Sequence, residues 1–465
     1  MNATEPWPDA RTAWEPYRPG TDGPWDAATV AHLHRRAGFS ATWAQIQRDL
    51  GDGYERSLQR VLHGEPQGPD GRPAPDFDEL SALMHEDLRR RPTIERLQLA
   101  WLFRLLFTPF PLAEKMTLAW HSHYATSNDK VSNPLGMLEQ YLTLRRLWRA
   151  PVSQLHAALL RDPAMLKWLD GSANTRDRPN ENMAREFLEL FSLGEGHYSE
   201  PDIREAARAL TGWQAEAAGK TMRYVTSQHD GGPKTILGAR GNWGEQDLVR
   251  IVCRQPAAAL HTARRLYRTF ISDTDEPPVQ LLEPLAQTMR ADGDVAVDQG
   301  IEVVLRSRLF HSLACRGKRV KNPVEYAVGA LRTAEAFARP PDLADVEIHV
   351  TKMGQRLFYP PNVAGWPGGL SWLSGSTILA RARFAATFAD PASPYGPSHL
   401  WNLAQRYDRK SPDERFEFFA TLFLGCPPRY PQKFQEALRG SKGDAPRQCG
   451  QLVQLLLNSA EAQVA

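Results

Sequence analysis

Residues 95–107 read ERLQLAWLFRLLF, a run whose apolar side chains surround almost the whole circumference of a helix. A helix with this pattern lies deep in the interior of a protein, because no face is polar enough to meet water. Helical periodicity recurs along most of the 465-residue chain, whereas alternating strands and helices are absent. The sequence therefore predicts a mainly α fold, a large multi-helix, bundle-like domain without a parallel sheet.

Composition shifts divide the chain into three predicted parts. Residues 1–26 form a Pro- and Trp-rich arm that docks on the body, because so many tryptophans are costly to leave exposed. Residues 27–390 form the main helical domain, and residues 391–465 form a helical extension packed on it. Two segments interrupt the main domain, an irregular or short-stranded, Gly-rich insert at 214–245 and a Pro/Gly/aromatic loop at 354–372. Long loops of this kind often carry function.

The overall composition excludes several classes of protein. Hydrophobic residues make up 42% and charged residues 24% of the chain, and the net charge is +2. So small a net charge argues against a dedicated nucleic-acid binder. The four cysteines are far apart and form no CxxC pair, which predicts buried free thiols and neither disulfides nor a thiolate zinc site.

The first residues give no sign of a targeting segment. They read MNATEPWPDARTAWEPYRPG, without a basic region followed by an apolar stretch, and so lack the pattern of a secretory signal peptide. No run of about 18 or more apolar residues occurs, so no transmembrane helix is expected. The sequence as written predicts a cytoplasmic protein.

The helix predicted at 180–193 is unusual because acids interrupt its apolar run. Glu186 and Glu189 lie one turn apart on one stripe, inside or beside the arc that would face the core. A buried carboxylate needs a cation, a metal ion or several hydrogen-bond donors. The alternative is a surface ladder of ion pairs, since Glu181 and Glu189 each lie one turn from Arg185.

A pair of histidines occurs in the segment WHSHY at 120–124. On a helix, His121 and His123 point to different sides, whereas in an extended segment they share a face. If the helix ends near Trp120, both imidazoles can bind one ion, which is typical of a metal site. The alternative is one histidine in the core and one on the surface.

A turn in the Gly-rich insert carries a further polar set. It reads HDGGPKTILG and begins at His229, with Asp230 before two glycines that allow close approach of the backbone to a ligand. Histidine is the commonest metal ligand and the general base best matched to neutral pH. Lys234 and Thr235 do not form a phosphate loop, because Pro233 stands where that loop requires glycine.

Several common enzyme signatures are absent from the sequence. It contains no HExxH, no GxSxG and no GxGxxG after a predicted strand, which argues against zincins, α/β-hydrolases and Rossmann enzymes. The acidic helix has no Glu-x-x-His partner, so a standard di-iron site is not supported either.

Six segments carry long motifs of one kind. They are HLHRRAGFSAT (32–42), WHSHYATSNDK (120–130), PNENMAREFLELFSLGEGHYSEPDIREAARALTGW (179–213), HDGGPKTILG (229–238), NPVEY (322–326) and PPNVAGWPGGLSW (360–372). Together they resemble the bacterial domain-of-unknown-function family 1800, over about residues 27–385. One departure is Tyr124, where that family often has Phe. The resemblance implies that the polar motif residues form a buried centre and not a surface ladder, although it brings no established activity.

We interpret this buried centre as that of a metal-dependent enzyme. The predicted ligands of one or two divalent ions are His121, His123, Glu186, Glu189 and His229. Mixed histidine and carboxylate ligands suit zinc, iron or manganese. The predicted catalytic residues are Asp230, which would orient His229, and Lys234 and Arg185, which would neutralise an anionic group of the substrate. A water molecule activated by the metal would make the protein a hydrolase, which we favour over an oxidoreductase.

The alternative function is a non-catalytic binding or scaffold protein, in which the polar centre is a structural network. Trp366 and Trp372 of the aromatic loop would then face a partner or stack on a glycan. Genes of the resembled family often lie beside genes for twin-arginine-exported, alkaline-phosphatase-like proteins. This neighbourhood implies such a protein as a partner and an association with the cell envelope. Under either function the expected ligand is a small molecule or a glycan, and not a nucleic acid.

Overall fold

The computed structural model of the protein describes residues 9–64, 77–215, 222–336, 341–426, 428–440 and 443–465. Of these described residues, 62% are helical and 5% are in strands, which confirms the predicted mainly α fold. No helix in these described ranges is long and apolar enough to cross a membrane.

The first half of the chain consists of short and medium helices. They are α1 (Ala27–Ala37), α2 (Trp43–Asp52), α3 (Tyr54–His63), α4 (Phe77–Arg90), α5 (Ile94–Phe107), α6 (Pro111–His123), α7 (Asn128–Val131), α8 (Pro134–Arg146), α9 (Val152–Leu160), α10 (Pro163–Trp168), α11 (Asn182–Glu186) and α12 (Glu200–Ala209). A 3-10 turn lies at Gly171–Ala173, and a π-helical segment, Phe187–Ser192, continues α11. Polar side chains begin many of these helices, as where Ser199 and Asp202 form a reciprocal cap on α12.

The second half of the chain continues in the same way. Its helices are α13 (Glu245–Cys253), α14 (Pro256–Phe270), α15 (Val279–Met289), α16 (Val297–Arg306), α17 (Arg308–His311), α18 (Pro323–Thr333), α19 (Leu343–Lys352), α20 (Gly375–Ala386), α21 (Pro397–Arg406), α22 (Pro412–Leu424), α23 (Pro431–Gly440), α24 (Ala445–Asn458) and α25 (Ala460–Gln463). A further 3-10 turn, Gly369–Leu373, lies in the aromatic loop.

Strands occur only as three antiparallel hairpins in the described part of the chain. They pair β1 (Trp213–Ala215) with β2 (Met222–Tyr224), β3 (Lys234–Ile236) with β4 (Ala239–Gly241), and β5 (Arg290–Ala291) with β6 (Asp294–Val295). The first two hairpins belong to the Gly-rich insert, which was predicted to be irregular or short-stranded. Residues 216–221 of that insert lie outside the described residues.

Helix α5 lies in the interior, as its apolar circumference predicts. Trp101 at its centre is 0% exposed and packs against Tyr141 and Phe358, with ring centroids 4.8 and 5.1 Å away. Its one buried arginine, Arg104, donates from Nε to a carboxylate oxygen of Glu114 at 3.0 Å. The charge of Arg104 is therefore paired with an acid inside the core.

The apolar interior forms two large clusters, and several helices, α1 and α6 among them, contribute to both. In α1, Leu33 belongs to the first cluster and Val30 to the second. In α6, Met116 and Trp120 belong to the first cluster, whereas Leu118 belongs to the second. The first cluster is built mainly from α9 to α17, and the second mainly from α5 and α18 to α25. Each of these shared helices therefore packs one face in the first core and another face in the second.

The described part of the N-terminal arm lies against the body. Trp14 donates from its indole to the backbone oxygen of Leu281 at 2.6 Å, and Trp25 donates to that of Asp49 at 3.1 Å. Tyr17 stacks on His311, with ring centroids 4.5 Å apart. Trp7 lies outside the described residues. The boundaries predicted near residues 26 and 390 stay predictions.

Candidate functional site

The histidine pair lies on α6, which continues to His123 and does not end near Trp120. The two imidazoles therefore point in different directions. His121 lies in the second core, where its Nε2 accepts the backbone N–H of Phe358 at 3.2 Å and its ring packs on that of Trp366. Burial lowers the pKa of His121 to about 3, so its imidazole is neutral.

His123 faces the first core and the end of the π-helical segment. Its Nε2 donates to the backbone oxygen of Phe191 at 3.2 Å. His156 donates to the same oxygen at 3.2 Å, and His261 donates to the oxygen of Leu190 at 3.1 Å. Neutral imidazoles thus donate hydrogen bonds to the carbonyl groups at the end of the π-helical segment. Without these histidines, the carbonyl groups would be unpaired in the core.

The acidic helix is divided between a half-buried stripe and a surface network. Glu189 accepts the hydroxyl of Tyr198 at 2.7 Å. Burial, together with the charge of Glu189, raises the pKa of Glu186. Arg185 pairs with Glu200 at 2.7 Å and with Glu181 at 3.4 Å. The surface ladder is therefore formed in part, although Glu189 does not belong to it.

The HDGGPKTILG turn fixes the β3–β4 hairpin to α12. Arg208 of that helix donates from Nε to Asp230 at 2.6 Å. The hydroxyl of Thr211 accepts the backbone N–H of Asp230 at 2.8 Å, and Nδ1 of His229 lies 3.0 Å from the Thr211 carbonyl oxygen. Lys234, 1% exposed, donates to the carbonyl oxygens of Asp230 and Gly232. These polar residues all have structural partners, either within the turn or in and just after α12.

The predicted metal ligands do not fit a common ion in this arrangement. No group of three or more His, Cys, Asp or Glu side chains in the described ranges has the geometry to hold one. The Nε2 of His121 already accepts a backbone N–H, and that of His123 donates to a carbonyl oxygen. His229 belongs instead to the turn on α12. The metal-ligand set stays a prediction without geometric support.

Three of the motifs meet elsewhere, on a cleft with a volume of about 400 Å³ that we call the motif cleft. From WHSH come Trp120, Ser122 and His123, from NPVEY come Asn322 and Glu325, and from the aromatic loop come Trp366, Pro367, Gly368 and Trp372. Charged residues outside these motifs complete the lining, namely Lys115, Arg265, Arg268, Asp273, Asp275, Glu276 and Arg319. The three motifs are far apart in sequence, so only the fold brings them together.

A buried ionic cluster lies along one side of the motif cleft. Glu325 pairs with Arg319 at 2.6 Å and with Lys115, which also donates to the Gly38 carbonyl oxygen at 3.2 Å. Glu325 further caps α18 by accepting the backbone N–H of Asn322 at 3.1 Å. Burial lowers the pKa of Lys115 to about 8. Burial alone would raise the pKa of Glu325, but its two cations lower it to about 2.

The aromatic loop is fixed to the cleft by close backbone contacts. Asp273 accepts the backbone N–H groups of Gly369 and Val320, each at 3.0 Å. Gly365 has a φ of +82°, and a Cβ there would lie 2.1 Å from the backbone oxygen of Ser122. Glycine is required at this position, because no other residue tolerates both the left-handed conformation and the contact. The loop therefore holds its tryptophans against α6.

Sequence reasoning missed the charged residues of the cleft. Lys115 had a signal, because it interrupts an otherwise apolar helix beside Glu114. Arg265 had none, since the run HTARRLYR has the pattern of an ordinary solvated helix face. Trp366 and Trp372 were singled out, and the structure places both in the wall of the cleft with 8% and 6% of their surface exposed.

The fold and the cleft define an α-helical protein with a polar, partly aromatic cavity of small-molecule size. The chain belongs to the family described as "Protein of unknown function (DUF1800)", which matches residues 32–464. No curated protein matches the chain, and no solved structure does.

Proposed function

We propose that this protein binds a small molecule in the motif cleft. The observation that carries the proposal is the convergence of three distant motifs on one cavity of about 400 Å³. Binding sites for small molecules typically have volumes of about 300 to 1,000 Å³ and combine an apolar wall with a few placed polar groups. Motifs that served only for packing would have no reason to meet at one open cavity.

The lining supplies both kinds of contact. Trp366 and Trp372 give the cleft an aromatic wall, on which a flat or apolar part of a ligand can pack. Lys115, Arg319 and Glu325 supply polar groups whose positions are fixed by their mutual pairing. Such prior fixation lowers the entropic cost of binding, because few side chains must be ordered by the ligand.

The metal-dependent enzyme predicted from the sequence is not the first choice on this geometry. It requires His121, His123 and His229 to gather around one or two ions, and each has a different set of neighbours. The binding function predicted as the alternative needs no such convergence. Partnership with an alkaline-phosphatase-like protein and association with the envelope stay predictions.

Filling the cleft is the direct test. Ala119 lines it, so Ala119→Trp would occupy part of its volume. The matched control is Ala82→Trp, at an exposed position of α4. Ligand-observed NMR with a fragment library should find molecules that bind the wild type and the control but not the cleft variant. Circular dichroism would verify that both variants are folded. Fragments that bind all three proteins equally would refute the proposal.

A further inference from the structure

The acids around the motif cleft all have partners, but these partners do not include every arginine that lines the cleft. Asp273 accepts two backbone N–H groups, and Glu325 holds Arg319 and Lys115. Glu276 accepts Arg264 at 2.8 Å and Arg268 at 2.6 Å. The remaining acid, Asp275, receives the hydroxyl of Tyr267 at 3.4 Å. None of these carboxylates lies in an ion pair with Arg265.

Arg265 lines the cleft from α14 with a guanidinium group that has no hydrogen-bond or ion-pair partner among the described residues. Burial and the charge of Arg268 lower its pKa to about 10. Arg265 is partly buried and so gives up part of its hydration, and an anionic ligand in the cleft would supply the acceptors that the protein does not. Arg265 therefore has five donor hydrogens that nothing in the described protein accepts.

A second guanidinium on the same cleft also has an unused donor. Arg319 is 7% exposed and donates from one terminal nitrogen, Nη1, to Glu325, whereas its other terminal nitrogen, Nη2, has no hydrogen-bond partner among the described residues. A charged donor that lines a cavity and has no acceptor in the protein is available to a group bound there. The two arginines come from different elements, and their donors are independent observations.

We propose that the motif cleft binds its ligand through a carboxylate or phosphate group that accepts hydrogen bonds from Arg265 and Arg319. This inference rests on the proposed function and names its ligand class, a small anion with a flat or apolar part. Guanidinium groups match the planar or tetrahedral oxygens of these anions through paired, charge-assisted hydrogen bonds. Trp366 and Trp372 would contact the remainder of the molecule.

Three probes that share a phenyl ring distinguish the contribution of the anionic group to binding from that of the ring. Benzoate, phenyl phosphate and neutral benzamide would be titrated at millimolar concentration into the full-length protein, with binding followed by chemical-shift perturbation and calorimetry. The two anions should bind saturably and benzamide much more weakly. Comparison of benzoate with phenyl phosphate then distinguishes a carboxylate site from a phosphate site. Inorganic phosphate alone would show how much of the affinity the anion supplies.

Two arginine variants test the residue assignment. Arg265→Gln should weaken binding of the anions about 10- to 100-fold, the effect of losing hydrogen bonds to a charged group. Arg264→Gln is the matched control, because it removes the same charge from the same helix at a residue that does not line the cleft, and it should retain near wild-type affinity. Equal anion affinity in Arg265→Gln and the wild type would overturn the inference.

The result for benzamide distinguishes the two proposals. If benzamide binds as tightly as benzoate and is lost in Ala119→Trp, the cleft binds small molecules but the anion inference is wrong. If the anions bind wild type and Ala119→Trp alike, both proposals fail. If no anionic probe binds the folded wild type, the anion inference is overturned, while the fragment screen still decides the proposed function.

Discussion

Lys115 of α6 and Glu325 of α18 form a buried ion pair beside the motif cleft, although they lie far apart in the sequence. The pair joins the helix that carries WHSH to the helix that begins with NPVEY. Arg319 completes the cluster from the segment before α18. Integrity of the cleft is therefore tied to the integrity of this cluster.

Removal of the shared acid should destabilise the protein strongly. Glu325→Gln leaves Lys115 and Arg319 buried without their counter-charge and weakens the cap of α18. We expect a loss of about 3–5 kcal/mol in the free energy of unfolding, the usual effect of breaking a buried pair. Urea denaturation measures it. The control Glu200→Gln breaks an exposed pair with Arg185 and should change little. Similar effects of the two variants would contradict the structure.

Mild acid should destabilise the protein before its carboxylates titrate. Burial lowers the pKa of His156 to about 4 and that of His261 to about 3, so the unfolded chain binds more protons than the folded one below about pH 6.5. As the pH is lowered below this value, the free energy of unfolding decreases by roughly 1.4 kcal/mol per pH unit for each such histidine. Asp162 opposes this trend, because burial raises its pKa to about 7. His121 adds to the loss, so the histidines outweigh it.

Urea denaturation at intervals between pH 7 and pH 5 measures this slope. His156→Asn should reduce it by about one proton, since it removes one group that titrates only in the unfolded state. A free energy of unfolding that stays constant over this range would contradict the burial of the histidines.

Loss of Arg208 should release the β3–β4 hairpin from α12. Arg208→Met removes the ion pairs with Asp230 and Glu205. The backbone N–H groups of Thr235 and Leu237, which donate to acids of α12, should then exchange faster with deuterium. The control is Arg204→Met, at an exposed position one turn earlier on the same helix. Unchanged exchange in the Arg208 variant would show that the hairpin is held by other contacts.

The aromatic loop should not tolerate a side chain at its closest approach to α6. Gly365→Ala places a methyl group 2.1 Å from the backbone oxygen of Ser122. Gly238→Ala is the matched control, because Gly238 has a similar φ of +81° and nothing within 4 Å of a Cβ. The control should lose about 1–2 kcal/mol through its backbone conformation alone, and the loop variant should lose more. Equal losses in urea denaturation would mean that the loop can move away without cost.

The metal content of the purified protein tests the predicted metal site directly. Elemental mass spectrometry of the untagged protein, from cells grown with ample metals, should find no stoichiometric transition metal, because the three predicted histidine ligands have separate partners. A full equivalent in the wild type that is lost in folded His229→Ala and Glu186→Ala would contradict this expectation. It would restore the metal-dependent enzyme as the leading function.

The sequence contained enough information for the fold class but not for the site. Periodicity alone placed α5 in the core, because an apolar circumference has only one stable environment. The histidine pair depended on where α6 ends, and a shift from Trp120 to His123 separates the two imidazoles. Helix ends are poorly determined by local sequence, since capping and tertiary packing compete there. No periodic signal connects Arg265 with Glu325, so the cleft required the fold.

Helices α1 and α6 each contribute side chains to both cores. If the two cores were separated, the helices that they share would each expose an apolar face to water. Heat or denaturant should therefore unfold the protein in a single cooperative transition. Truncated forms that end between α17 and α18 should aggregate. For the same reason, a chimaera in which one core is exchanged for that of another protein should lose the packing of the second core as well.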